Sequence, residues 1–193
     1  MKPLTVQDLL PADQSERSRD ELRRRIIGLK EHRRIAVGDL VTLVFENRDT
    51  VLFQVQEMIR AEHIVAPERI REELESYNEQ IPGSQELSAT LFIEVTDPTM
   101  VKSVLDRFHG IDTGQTVGFQ LGNQRVYGVF EQGRAKEDKI SAVHYVRFHF
   151  SDNQKAQLAK LTESIEIFIH HSGYQARAAI PDKMRESLLQ DLD

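Results

Sequence analysis

The stretch that most restricts the fold is Thr116 to Phe130, TVGFQLGNQRVYGVF. Two alternating runs flank Gly122-Asn123, a two-residue turn of the kind that joins antiparallel strands. A lone hairpin is marginal in water, so the chain must supply further strands. It does. Leu87 to Val95 (LSATLFIEV) sets Leu87, Ala89, Leu91, Ile93 and Val95 on one side, with Thr90, Phe92 and Glu94 on the other. The run SAVHYVRFHF, ending at Phe150, places Ala142, His144, Val146, Phe148 and Phe150 together. Ser164 to His170 and Tyr174 to Ile180 read as two strands around Ser172-Gly173. Ile35 to Phe45 (IAVGDLVTLVF) is apolar on both alternating faces and reads as a buried strand around a Gly38-Asp39 turn.

Helical signals lie between these runs. Asp13 and Glu16 have the spacing of a capping box, before a helix with Leu22, Ile26 and Leu29 as its stripe, ending near Arg33-Arg34. Residues 49–83 predict two helices, the second opening on Pro67 and carrying Ile70, Leu74 and Tyr77. Asp97-Pro98, Ser151 with Gln154, and Pro181 open further short helices. The charged stretch Glu131 to Lys139 reads as a solvated loop or short helix. No repeat or glycine- or proline-rich linker divides the chain. The expectation is one α+β domain over residues 1–193, a mostly antiparallel sheet packed with helices. Residues 1–34 form a basic helical segment, and 151–193 a strand pair and helix on the same domain.

Charge and composition narrow the function classes. The net charge of −6 argues against a general nucleic-acid or anionic-membrane binder. No apolar run is long enough for a membrane span. The start, MKPLTVQDLLPADQ, lacks the layout of a signal peptide, so a cytoplasmic location is expected. With no cysteine, disulfides, thiol catalysis and thiolate-held clusters are excluded. The sequence contains no G-x-S-x-G, P-loop, G-x-G-x-x-G or H-E-x-x-H motif.

The polar residues of 49–83 are the candidate site. At about 100° per residue, Leu52, Val55, Gln56, Ile59 and His63 share one helix face, so Gln56 and His63 are predicted to sit among apolar groups. Packing of the two helices would gather Gln56, Glu57, Arg60, Glu62, His63, Glu73, Tyr77 and Asn78. The ordinary outcome is a buried hydrogen-bond network. The chemical one is a ligand site of Gln56, Glu57, Arg60, Tyr77 and Asn78, with Arg60 gripping an anion. A metal version takes Glu57, Glu94 and His144 as ligands to a single iron, manganese or zinc ion. Between Glu16 and Arg34 eight Lys or Arg face four acids, a basic face for an acidic partner or simply a solvated helix surface.

RRIAVGDLVTLVFENRDTVLFQVQEMIRAE, ELESYNEQIPG, ELSATLFIEV and SAVHYVRFHFS together resemble an uncharacterised bacterial family, a domain of unknown function, over nearly the whole chain. Members are often encoded beside rubrerythrin-like proteins and iron–sulfur oxidoreductases, so the resemblance implies a setting in redox or peroxide metabolism. The best-matching blocks contain Gln56, Glu57, Arg60, Glu62, Tyr77, Asn78, Glu94 and His144; His63 is not among them. The expected function is a non-catalytic accessory protein that docks on such a redox partner. The alternatives are a metal-dependent enzyme or small-anion sensor using the Glu/His/Arg cluster, and a homo-oligomer whose polar cluster only fixes packing.

Overall fold

A computed structural model describes residues 1–131, 140–160 and 163–192. The stretch 131–139, expected as a solvated loop or short helix, lies outside the described residues apart from Glu131. Among the described residues there are eight strands: β1 (Arg34–Ala36), β2 (Val41–Glu46), β3 (Glu86–Ile93), β4 (Val117–Leu121), β5 (Gln124–Phe130), β6 (Val143–His149), β7 (Ile165–His171) and β8 (Tyr174–Ala179). They form one sheet in the order β1-β2-β3-β6-β5-β4-β7-β8, with every neighbouring pair antiparallel. The helices are α1 (Ala12–Glu31), α2 (Arg48–Ala61), α3 (Pro67–Asn78), α4 (Val101–Asp106), α5 (Asp152–Ala159) and α6 (Asp182–Leu189). The architecture is α+β, as expected.

Period-two alternation decides which face holds the main core. Leu43 and Phe45 of β2, Leu87, Ala89, Leu91 and Ile93 of β3, and Val146 and Phe148 of β6 belong to it. So do Val117, Phe119 and Leu121 of β4 and Ile165, Ile167 and Ile169 of β7. The β4–β5 hairpin turns through Gly122-Asn123 with positive φ at Gly122, the pattern of a type II′ turn.

The sheet curls around this core until the β1–β2 turn reaches β8. The Tyr174 hydroxyl donates to the Val37 carbonyl at 2.8 Å and accepts from the Leu40 amide at 3.1 Å. Gly38 makes the contact possible, because its φ is +79° and a Cβ there would lie 2.1 Å from the Tyr174 oxygen. IAVGDLVTLVF is thus a hairpin of two strands and not one buried strand. The Asp13–Glu16 capping box does not form either. Pro11 precedes α1 without a side-chain cap, and the reciprocal cap is made by Thr5 and Asp8 around the 3₁₀ turn Val6–Asp8.

Helices α1–α3 form a second layer. All six residues of β2 are buried, so its outer face is covered as well as its inner one. Ion pairs Arg19–Glu57, Arg25–Asp49 and Lys30–Glu46 tie α1 to α2 and to the end of β2. As the α1 number rises its partner's number falls, so α1 and α2 run antiparallel. A smaller core of Leu4, Val51, Val55, Leu74 and Ile81 joins α2, α3 and the N-terminal segment.

Candidate functional site

The expected ligand residues divide by what their side chains touch. Gln56 is buried on α2, but its amide is spent on main chain: Oε1 accepts from the Leu10 amide at 2.8 Å and Nε2 donates to the Leu10 carbonyl at 3.2 Å. Asn78 does the same at the end of α3, with Oδ1 accepting from Leu4 N at 2.7 Å and Nδ2 donating to Leu4 O at 2.9 Å. These two amides stitch the irregular N-terminal segment to the helices. Asn78→Ala should therefore cost about 1–2 kcal/mol and speed hydrogen exchange at the Leu4 amide. Unchanged exchange there would contradict the assignment.

His63 does not lie on the buried face. Helix α2 ends at Ala61, and His63 follows with φ +50° and an exposed side chain. Nor does the proposed metal trio assemble. His144 is 2% exposed on the core face of β6, opposite Leu91, beside the Phe130 ring, with Nε2 donating to the Ser141 carbonyl at 2.8 Å. Glu94 follows the core residue Ile93, so it points to the other face, where it is exposed and meets Arg34 at 2.6 Å and Thr42 at 2.8 Å. Side chains on opposite faces of one sheet cannot share an ion. Among the described residues, no group of three or more His, Asp or Glu is placed to hold a metal.

Glu57, Arg60 and Tyr77 are brought together in a cleft. Arg19 grips Glu57 in a fork, Nε donating to Oε1 at 2.9 Å and to Oε2 at 3.2 Å and Nη2 donating to Oε2 at 2.7 Å, and Arg60 adds a longer bond at 3.3 Å. The bond from Arg19 chiefly, then that from Arg60, lowers the Glu57 carboxyl below its usual range against the opposing effect of burial. Burial raises the Tyr77 phenol, with Tyr145 and Glu73 adding to it, so the hydroxyl is neutral near pH 7. It has no hydrogen-bond partner among the described residues and is left to donate.

The cleft lies between α1 and α2 and has a volume of about 880 Å³. Its bed is Ile26, Ile27, Phe53 and Met58, with Tyr77 of α3 at one side. Arg23, Lys30 and Arg34 come from α1 and the start of β1; Arg60, Glu57 and Glu62 come from α2. The opening exists because α1 packs narrowly. Ile26 and Ser15 are its only buried residues, while Ile27 is 52% exposed. Reading the charged α1 surface as solvated hides this, and the one available signal was Ile27 interrupting a run of arginines.

Behind Lys30 and Gln54 of the cleft wall stands Glu46, which does not itself line the cleft and which no sequence pattern singled out. Its side chain is 2% exposed. Oε1 faces Gln54 Nε2 at 3.3 Å, Thr90 Oγ1 at 3.3 Å and Lys30 Nζ at 3.7 Å. Oε2 has no hydrogen-bond partner among the described residues.

Fold and cleft together define a class: a helix-capped antiparallel sheet with an amphipathic cleft between two cap helices. The chain belongs to the family described as Protein of unknown function (DUF3501), whose model matches residues 3–192. It is similar throughout to a crystal structure from Burkholderia pseudomallei, described as a novel protein of unknown function. The two share 30% identity and a TM-score of 0.90, and 100% of each chain is covered. No curated protein is significantly similar to it. No helix among the described residues is long and apolar enough to cross a membrane.

Proposed function

We propose that the protein binds a small organic anion carrying an apolar body, and that the α1–α2 cleft receives it. The observation that carries this reading is an apolar bed, Ile26, Ile27, Phe53 and Met58, overhung by the cations of α1. The volume of about 880 Å³ falls within the range of small-molecule sites. Hydrophobic surface supplies affinity there, and the cations choose the sign of the head group. A metal-dependent form of the reading needs ligands other than Glu57, Glu94 and His144 as a set. In the setting that the family resemblance implies, we read the protein as a cytoplasmic, anion-responsive accessory to a rubrerythrin-like or iron–sulfur oxidoreductase partner. The exposed basic face of α1 is then the docking element.

Calorimetric titration with straight-chain carboxylates tests the reading. Octanoate should bind about tenfold more tightly than hexanoate, since two buried methylenes contribute roughly 0.8 kcal/mol each. Neutral 1-octanol should bind more weakly than octanoate, and Ile27→Asp should weaken octanoate strongly by placing a like charge in the bed. Equal binding of octanoate and 1-octanol, or affinity independent of chain length, would overturn it.

A further inference from the structure

We infer that Lys30 is the cation that takes the ligand's anionic head, and that it does so by leaving Glu46, which picks up a proton from solvent. This rests on the anion-binding reading of the cleft and adds the residue and the stoichiometry.

The cations around the cleft are not equivalent. Arg60 is held by Glu57, which Arg19 also grips, and Arg34 lies 2.6 Å from Glu94. Arg23 is exposed, where water screens an ionic contact. Lys30 is different. Its side chain is largely covered, it lines the cleft, and its acid partner stands at 3.7 Å behind it. An ammonium on a flexible stem can turn from that long contact to a ligand carboxylate at little cost.

The consequence falls on Glu46. From α2 it faces Gln54, from β3 it faces Thr90, and in the sheet register it lies opposite Ser88; none of these is charged. Arg33 reaches only the Glu46 carbonyl and has its own acid in Asp191. Among the described residues Lys30 is therefore the one cation directed at the Glu46 carboxylate. Once Lys30 turns away, a buried carboxylate with an unpartnered oxygen has no counter-charge. Such a group is far less costly neutral than ionised. The balance is simple: ligand carboxylate, the Lys30–Glu46 pair and one proton give a ligand–Lys30 pair and a neutral Glu46 acid. No bond other than the new O–H is made, and the charge entering with the anion is cancelled by the proton.

Titrating octanoate at pH 7 in phosphate and in Tris, whose ionisation enthalpies differ widely, counts the protons taken up. The wild type should take up between one half and one proton per octanoate, on the order of one as the single-site exchange requires. Glu46→Gln should take up none and bind octanoate at least as tightly, because Lys30 is released. Lys30→Met should weaken octanoate by about tenfold or more, and Arg23→Ala by only about twofold. Octanoate binding in the wild type with no proton uptake would overturn this inference and leave the cleft reading intact. Equal losses in Lys30→Met and Arg23→Ala would also overturn it. Failure of the wild type to bind octanoate would overturn both readings together.

Discussion

Arg33→Met should destabilise the protein by about 3–5 kcal/mol, as expected when one partner of a buried ion pair is removed. Arg33 is 1% exposed at the junction of α1 and β1. Its guanidinium pairs with Asp191 in the last turn of the chain, and donates to the carbonyls of Phe45 at 2.9 Å and Glu46 at 3.2 Å and to Ser187 Oγ at 3.1 Å. One side chain thus holds together α1, the end of β2 and the C-terminal helical turns. Without it, Asp191 is a buried carboxylate lacking its cation. Burial already pushes the Asp191 carboxyl up, and Arg33 is the main group pulling it back.

The sign of the pH effect follows. An acid whose folded value lies above its unfolded value binds more protons when folded, so its contribution to stability falls as pH rises from the ordinary carboxylate range through the folded value. Loss of Arg33 widens that window. The deficit of Arg33→Met should therefore be greatest near pH 7 and shrink as pH falls toward about 4. Adding Asp191→Leu should restore most of the loss, though not the carbonyl bonds. Urea unfolding across that pH range checks both statements, and a deficit that does not vary with pH would contradict them.

Phe119→Ala should cost a similar amount, about 3–5 kcal/mol. Phe119 is fully buried in the middle of β4, with its ring centroid 4.9 Å from Phe148, 5.3 Å from Phe150 and 5.8 Å from Phe45. Rings from β2, β4 and the end of β6 meet there only because the sheet curls. The cavity left by alanine would be lined by three fixed aromatic groups that cannot easily collapse into it. Phe119→Leu retains more volume and should cost less. A loss below about 1 kcal/mol for the alanine variant would mean that the strands do not enclose this cluster.

The β4–β5 hairpin was legible because its alternation and its Gly122-Asn123 turn agree. The β1–β2 hairpin was less so. Alternation reports a sheet with one wet face, and β2 has none, since helices cover its outer side. Strand order was not legible at all: β3 pairs with β6, some 60 residues away, and nothing local encodes that contact. The site followed the same division. Gln56 and Asn78 were recognisable as polar groups needing partners, but their partners are main-chain atoms of an irregular segment without periodicity. The facing of Glu94 and of His144 could be read along each strand separately. Their relation depends on the register that sets Leu91 against His144, and that puts them on opposite faces. Arg60, Glu57 and Tyr77 do meet, yet half of the apolar bed beside them, Ile26 and Ile27, comes from α1, whose basic face read as a solvated helix surface.

We propose above all that an apolar-tailed anion lies between α1 and α2. Methyl-selective NMR of the protein titrated with octanoate addresses it directly. A second apolar groove, lined by Ile59, Ile64, Val65 and Ile70, provides an internal comparison. Saturable shifts are expected at the methyl groups of Ile26, Ile27 and Met58, with those of Ile64 and Val65 unmoved. Shifts confined to Ile64, Val65 and Ile70, or none that saturate, would contradict it.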